Sequence, residues 1–235
     1  MKVGIMQPYF MPYIGYWQLI NAVDRFVILD DVNYIMRGYI NRNNILLNGK
    51  SYRFTIPIEK ASQNKLIMET RLNFTSDKKQ DFLLTVSNAY RNAPYFKDVM
   101  PVIEDVVNNP QTDLTVFIRY SIEKVMQYLD LQTEILLSSE IEKDLKCKGE
   151  ERIIEICKEI DADTYINPCG GRKLYHRDAF EKAHLQLFFL DTQNDYIIYK
   201  QAKQEFVGNL SIIDIMMFND VEKIKDFLER YELND

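Results

Sequence analysis

The sequence predicts an α/β fold: a mostly parallel sheet covered by helices, carrying a β-hairpin and a helical insertion. Three observations point there. Residues 3 to 31, VGIMQPYFMPYIGYWQLINAVDRFVILDD, read as strand, loop, helix, strand. Residues 135 to 190 return to the same rhythm, and residues between about 77 and 130 show helical spacing throughout. Strands that alternate with helices build parallel sheets covered on both sides.

Each element has its own signal. An apolar run from Val3 to Met6 stops at Gln7-Pro8, and a proline-punctuated aromatic loop follows, Tyr9 to Tyr13. Gly15 opens a helix with Trp17, Leu19, Ile20 and Val23 on its apolar side, and Phe26 to Leu29 forms a second strand ending in Asp30-Asp31. Ile45 to Leu47 and Tyr52 to Ile58 flank Asn48-Gly49, the chemistry of a tight hairpin turn with positive φ, and this hairpin is placed to extend the sheet. Leu66 to Phe74 reads as a further strand. Helices are expected over Asp77–Arg91, Val99–Val107 and Leu114–Leu129. The second half predicts strand Ile135–Leu137, with Ser138-Ser139 as helix-capping residues, and then helix Glu150–Ile160. Strand Thr164–Ile166, helix Asp178–Ala183 and strand Leu187–Leu190 follow, then closing helices Ser211–Met217 and Val221–Tyr231. Residues 1–235 read as one domain, with the helical insertion at about 77–130.

Composition narrows the function classes. A chain of 235 residues can bury a full core, and a net charge of −6 argues against broad nucleic-acid binding, which needs a basic face. No apolar run approaches the roughly 20 residues of a membrane-spanning helix. The N-terminus enters a strand at once, without the pattern of a signal peptide. Cys147, Cys157 and Cys169 are odd in number and spaced unlike zinc ligands, so the expectation is a reduced cytoplasmic protein with no metal site. The cofactor stays unknown, and homo-oligomerisation stays open.

In a parallel sheet the carboxyl ends of the strands form the ligand crevice. Gln7, the aromatic loop and the Asp30-Asp31 pair would share that rim. The segment from Asp30 to Asn43 adds Arg37 and Arg42, whose planar forks match phosphate or carboxylate oxygens. Tyr34 would anchor this segment, and Asn41 adds a polar contact. After another strand comes Asn167-Pro168-Cys169-Gly170-Gly171-Arg172, where consecutive glycines let backbone N–H groups approach an anion and Arg172 adds charge. Tyr9, Tyr13 and Tyr34 are placed to stack on a base or sugar ring. Asp214, an acid among apolar neighbours, reads equally as a buried structural lock or as a site residue. Histidine chemistry is poorly supported: His176 and His184 have no identifiable partner. Proton transfer therefore falls to carboxylates, Asp30 and Asp31 first.

The same stretches resemble the WbqC-like family nearly end to end. The resemblance rests on MQPYFMPYIGYWQLI, VDRFVILDDVNYIMRGYINRN, FTIPI, AYRNAPYF, LLSSEI, ICKEIDADTYINPCGGRKLY and NLSIIDIMMFN. It implies a role in bacterial surface-glycan (O-antigen type) biosynthesis, as a transferase of an amino-acyl (glycine) or acyl group onto a sugar or nucleotide-sugar precursor. The strand–loop–helix opening is also similar to the H-x-G-H loop of nucleotidylyltransferases (a HUP-like fold), with Tyr13 and Tyr16 standing in the histidine places. Tyrosine carries no positive charge near neutral pH, which weakens ATP chemistry. The alternatives are ATP-dependent nucleotidyl transfer or ligation, and a non-catalytic binding protein in glycan assembly.

Overall fold

The computed structural model describes residues 1–202 and 205–235. Its centre is a six-stranded sheet built from β1 (Lys2–Met6), β2 (Arg25–Ile28), β5 (Glu134–Leu137), β6 (Thr164–Pro168), β7 (Gln186–Thr192) and β8 (Tyr231–Asn234). The order across the sheet is β5-β2-β1-β6-β7-β8, parallel except for the last pair. In chain order, the five parallel strands run third, second, first, fourth, fifth. The winding direction thus reverses between β1 and β6, the topological switch point of a doubly wound sheet.

Side chains alternate across each strand, so both faces need cover. Val3 and Ile5 of β1, Val27 of β2, Tyr165 of β6 and Leu187 and Phe189 of β7 face α5 (Gly149–Glu159) and α6 (Arg177–Lys182). Phe26, Ile28, Ile166 and Leu190 face the opposite way, into the larger core. That core takes in α1 (Ile14–Ala22), α7 (Ile212–Phe218) and α8 (Val221–Leu228). Gly4 packs tightly under α1: an added Cβ would lie 3.0 Å from the Leu19 side chain.

The helical middle is α2 (Ser76–Tyr90), α3 (Phe96–Asn108) and α4 (Leu114–Leu129), and it packs into this same core. Phe10 of the aromatic loop stacks on Phe117 of α4 at 5.4 Å between ring centroids. The predicted helices are all present within a few residues of their expected ends.

Four expectations change. The hairpin, β3 (Arg42–Leu47) and β4 (Lys50–Thr55), turns through positive φ at Asn48 and Gly49 as expected, but forms its own two-stranded sheet. Backbone groups on its free edge are engaged elsewhere: Ser211 N–H donates to the Asn44 carbonyl, and Leu46 N–H donates to the Tyr90 hydroxyl. Leu66 to Phe74 is not a strand but a 3-10 turn over Ile67–Glu69 with isolated bridges, closed by the Glu69 carboxylate accepting from Leu66 N–H. Ser138 and Ser139 do not cap a helix; their hydroxyls hold Asp31 and Asp30. The last helix ends at Leu228, and Tyr231–Asn234 turns back as an edge strand. Its corner is fixed by buried Gln18, whose Nε2 donates to the carbonyls of Phe227 and Arg230.

Candidate functional site

A cleft of about 660 Å³ opens at the switch point, where β1, β6 and β7 end. Gln7 and Tyr13 line it from the first loop, and Asn167 to Gly171 from the turn after β6. Asp191, Thr192 and Asn194 close it from the end of β7, and Ile35 and Leu174 stand at its mouth. Gly15, in the first turn of α1, also lines it. A Cβ there would lie 2.6 Å from the Tyr13 ring and 2.9 Å from Thr192 Oγ1, so only glycine lets loop, helix and strand meet this closely. Gly15 thus brings the first turn of α1, the positive end of a helix dipole, to the cleft wall.

The turn after β6 is braced from inside. Asn167 Oδ1 accepts from the Tyr165 hydroxyl at 2.9 Å, and its Nδ2 donates to the Pro168 carbonyl at 3.0 Å. A Cβ on Gly171 would sit 1.8 Å from that Nδ2, so the second glycine is required by packing. Gly170 has open space around it, toward the cleft. On the far side, Gln18 Oε1 accepts from Thr192 Oγ1 at 2.7 Å, which ties the end of β7 to α1. Burial raises the pKa of Tyr13 and Tyr175, so both rings present protonated hydroxyls. Among the described residues no Lys, Arg or His lines the cleft, and its lining carboxylate is Asp191.

The neighbouring strand ends, β2 and β5, are built differently. Asp30 is buried; its Oδ1 accepts from Ser139 N–H at 2.9 Å and its Oδ2 from the Ser139 hydroxyl at 2.7 Å. Burial raises its pKa, with the Ser139 bonds opposing. Asp31 accepts from the Ser138 hydroxyl at 2.8 Å and pairs with Lys143 Nζ at 2.9 Å. Arg152 adds charge 3.8 Å away and donates to the Asp31 carbonyl. Lys143 is itself enclosed, with its side chain only 1% exposed. Neither aspartate lines the main cleft; Asp31 borders a smaller hollow with Lys148, Gly149 and Arg152.

The structure therefore brings Gln7, Tyr13, Asn167, Gly170 and Gly171 together and leaves other expected residues outside. Tyr9 packs against the rings of Tyr13, Tyr16 and Tyr39. Tyr16 is fully buried and donates its hydroxyl to the Gln7 carbonyl at 3.1 Å. Tyr34 donates to Asn41 Oδ1, and Asn41 Nδ2 donates to the Ile56 carbonyl, so this pair fastens the loop to the hairpin. Arg37 lies exposed on that loop at φ 63°, two residues past Ile35. Arg42 opens β3 with its Nε buried and without an acceptor among the described residues. Arg172 lays its guanidinium over the Phe189 ring, 5.4 Å from the centroid. Asp214 is a buried lock, accepting from Tyr90 at 2.8 Å and from Tyr199 and Gln201 at 2.6 Å each. Burial raises its pKa while these three bonds oppose the shift.

Asp191, Thr192, Gln18 and Lys143 escaped the sequence reading. Asp191 and Thr192 look like the tail of an apolar strand, and Gln18 and Lys143 like solvent-facing residues. Among the described residues no group of three or more His, Cys, Asp or Glu side chains is placed to hold a metal ion, and no helix is long and apolar enough to cross a membrane.

Against known proteins, the model of the WbqC-like protein family matches residues 7–226. An uncharacterized protein of Mycobacterium tuberculosis (strain ATCC 25618 / H37Rv) is 28% identical over 229 residues, which covers 97% of each chain. No solved structure matches.

Proposed function

We propose a function from two premises: the chain belongs to the WbqC-like protein family, and its switch-point cleft offers what a sugar needs. The reading is a cytoplasmic transferase that places an amino-acyl (glycine) or acyl group on a sugar or nucleotide-sugar precursor of a bacterial surface glycan.

The observation that carries it is the mixed lining of the cleft. Tyr13 and Tyr175 supply ring faces, and Gln7, Asn167, Thr192 and Asn194 supply short polar groups between apolar walls. Binding pockets of this kind use a few placed polar groups to orient a ligand whose bulk is held by apolar contact. A phosphate of a nucleotide-linked sugar has one favourable place, the N-terminus of α1 beside Gly15 and the open backbone at Gly170. Arg172 follows the glycine turn and Arg37 follows Ile35 in the chain, and in this reading their long side chains would reach a diphosphate that leaves the cleft. Asp30 and Asp31 enter this reading as positioning residues. They anchor the start of the loop whose Ile35 closes the mouth.

ATP-dependent nucleotidyl transfer is supported by the first βα turn at the switch point. It is weakened at Tyr16, because the second histidine-like place holds a buried ring whose hydroxyl is already bonded to Gln7.

A thermal-shift series with UDP-glucose, UDP-N-acetylglucosamine, UDP-glucosamine and Mg-ATP tests the proposal. A ligand bound to the native state raises the melting temperature by mass action. The proposal expects a rise with at least one sugar nucleotide, lost in Gly171→Ala. A rise with Mg-ATP alone would transfer the case to nucleotidyl chemistry, and no rise with any sugar nucleotide would remove the transferase reading.

A further inference from the structure

The proposed function leaves the kind of sugar open, and the charge of the cleft addresses it. Asp191 lies at the end of β7, exposed to the cleft, and among the described residues no cationic side chain lines the same space. Burial and the neighbouring Asp191 carboxylate raise the pKa of the Cys169 thiol, and no salt bridge engages Asp191 among the described residues. The nearby guanidinium of Arg172 is placed over the Phe189 ring. Directly across the β7–β8 ladder from Asp191 stands Glu232, whose Oε1 accepts from Gln193, and Asp195 follows three residues after Thr192. Like charges opposite one another in a ladder repel, so this edge is electrostatically incomplete without a positive partner.

Resting on the transferase reading, we infer that the cleft selects a sugar that bears a free amino group, with Asp191 as the ion partner of its ammonium. The same lining disfavours a sugar acid, since a second carboxylate would meet Asp191 and no cationic side chain lines the cleft among the described residues. Neutral hydroxyls remain served by Asn167, Thr192 and Asn194. The positive end of α1 and the carboxylate of β7 thereby fit the two ends of an amino-sugar phosphate. Thr192, held by Gln18, keeps the end of β7 in place, so the carboxylate sits on a rigid strand rather than on a loop.

The test is titration calorimetry on the full chain with two matched pairs. UDP-glucosamine is compared with UDP-glucose, and dTDP-4-amino-4,6-dideoxyglucose with dTDP-6-deoxyglucose, each below neutral pH so that the amine is charged. In at least one pair the amine is expected to bind about tenfold more tightly than its hydroxyl counterpart, the size of a charge-assisted contact. Asp191→Asn should erase that preference. Equal affinity within both pairs would overturn the inference while the transferase reading survives. A preference that persists in Asp191→Asn would overturn it as well. If none of the four ligands binds, the inference falls, and the thermal-shift series with UDP-N-acetylglucosamine decides whether the transferase reading falls with it.

Discussion

Two ends of the same sheet can be compared, because each gathers polar residues where parallel strands stop. At β2 and β5 the aspartates are engaged from within: Ser138 and Ser139 donate to their oxygens, Lys143 pairs with Asp31 by charge, and burial completes the enclosure. At β1, β6 and β7 the polar groups border about 660 Å³ of space. Asn167, Gln18 and Thr192 are bonded inward and brace the rim, while the Asp191 carboxylate has no salt bridge among the described residues. A charged pair at a strand end is therefore not a site by position alone. What matters is whether its hydrogen-bonding capacity is already filled.

The comparison is most easily broken at Asp31. Asp31→Ala leaves the Lys143 ammonium buried without its partner, and a broken buried pair costs about 3–5 kcal/mol. Denaturant unfolding should show that loss, and the double variant Asp31→Leu/Lys143→Met should recover most of it. A loss under about 1 kcal/mol for the single variant would mean that this end is not a closed lock.

Asp214 is the next largest. Asp214→Ala orphans three buried donors, for a cost of roughly 3 kcal/mol. Its pH dependence has a definite sign. Burial raises the folded pKa above the unfolded value, so the folded chain holds the proton more tightly. The contribution of this group is greatest in acid and declines as pH rises from about 4 through the raised folded value. Asp214→Asn should remove that decline, seen as a flatter curve of unfolding free energy against pH over the same interval.

Gly171→Ala acts on the open end. The new Cβ displaces the Asn167 amide, so the turn should lose about 1–2 kcal/mol by overpacking, together with any ligand-induced rise in melting temperature. A fully retained ligand response would place the binding site elsewhere. Smallest is Asp191→Asn. Its exposed carboxylate has no ion partner among the described residues, so unfolding free energy should move by no more than about 0.5 kcal/mol.

Much of the fold was legible because it rests on local signals. Apolar runs marked β1, β2, β6 and β7, Asn48-Gly49 marked the hairpin turn, and helical spacing marked α2, α3 and α4. The rim was legible for the same reason: Gln7 and the residues from Asn167 to Gly171 follow recognisable strands. What failed were partnerships across the chain. Ser138 lies 107 residues from Asp31, and Ser139 lies 109 from Asp30, so nothing local shows that these carboxylates are enclosed. The hairpin's separation from the main sheet likewise depends on Tyr90 and Ser211, remote in sequence. The final strand was missed because a short charged segment continued the spacing of α8, and only Gln18 of α1 reveals where that helix stops. Expected anion contacts from Arg37, Arg42 and Arg172 rested on composition, and composition does not say where a long side chain points.

Hydrogen-exchange mass spectrometry with and without UDP-glucosamine tests the central claim most directly, since it reads both strand ends at once. The account predicts ligand protection over residues 167–171 and 190–194 and in the first turn of α1, with the segments around Asp30 and Ser138–Arg152 unchanged. Protection confined to those latter segments would contradict it, by showing the enclosed end of the sheet to be the one that receives the ligand.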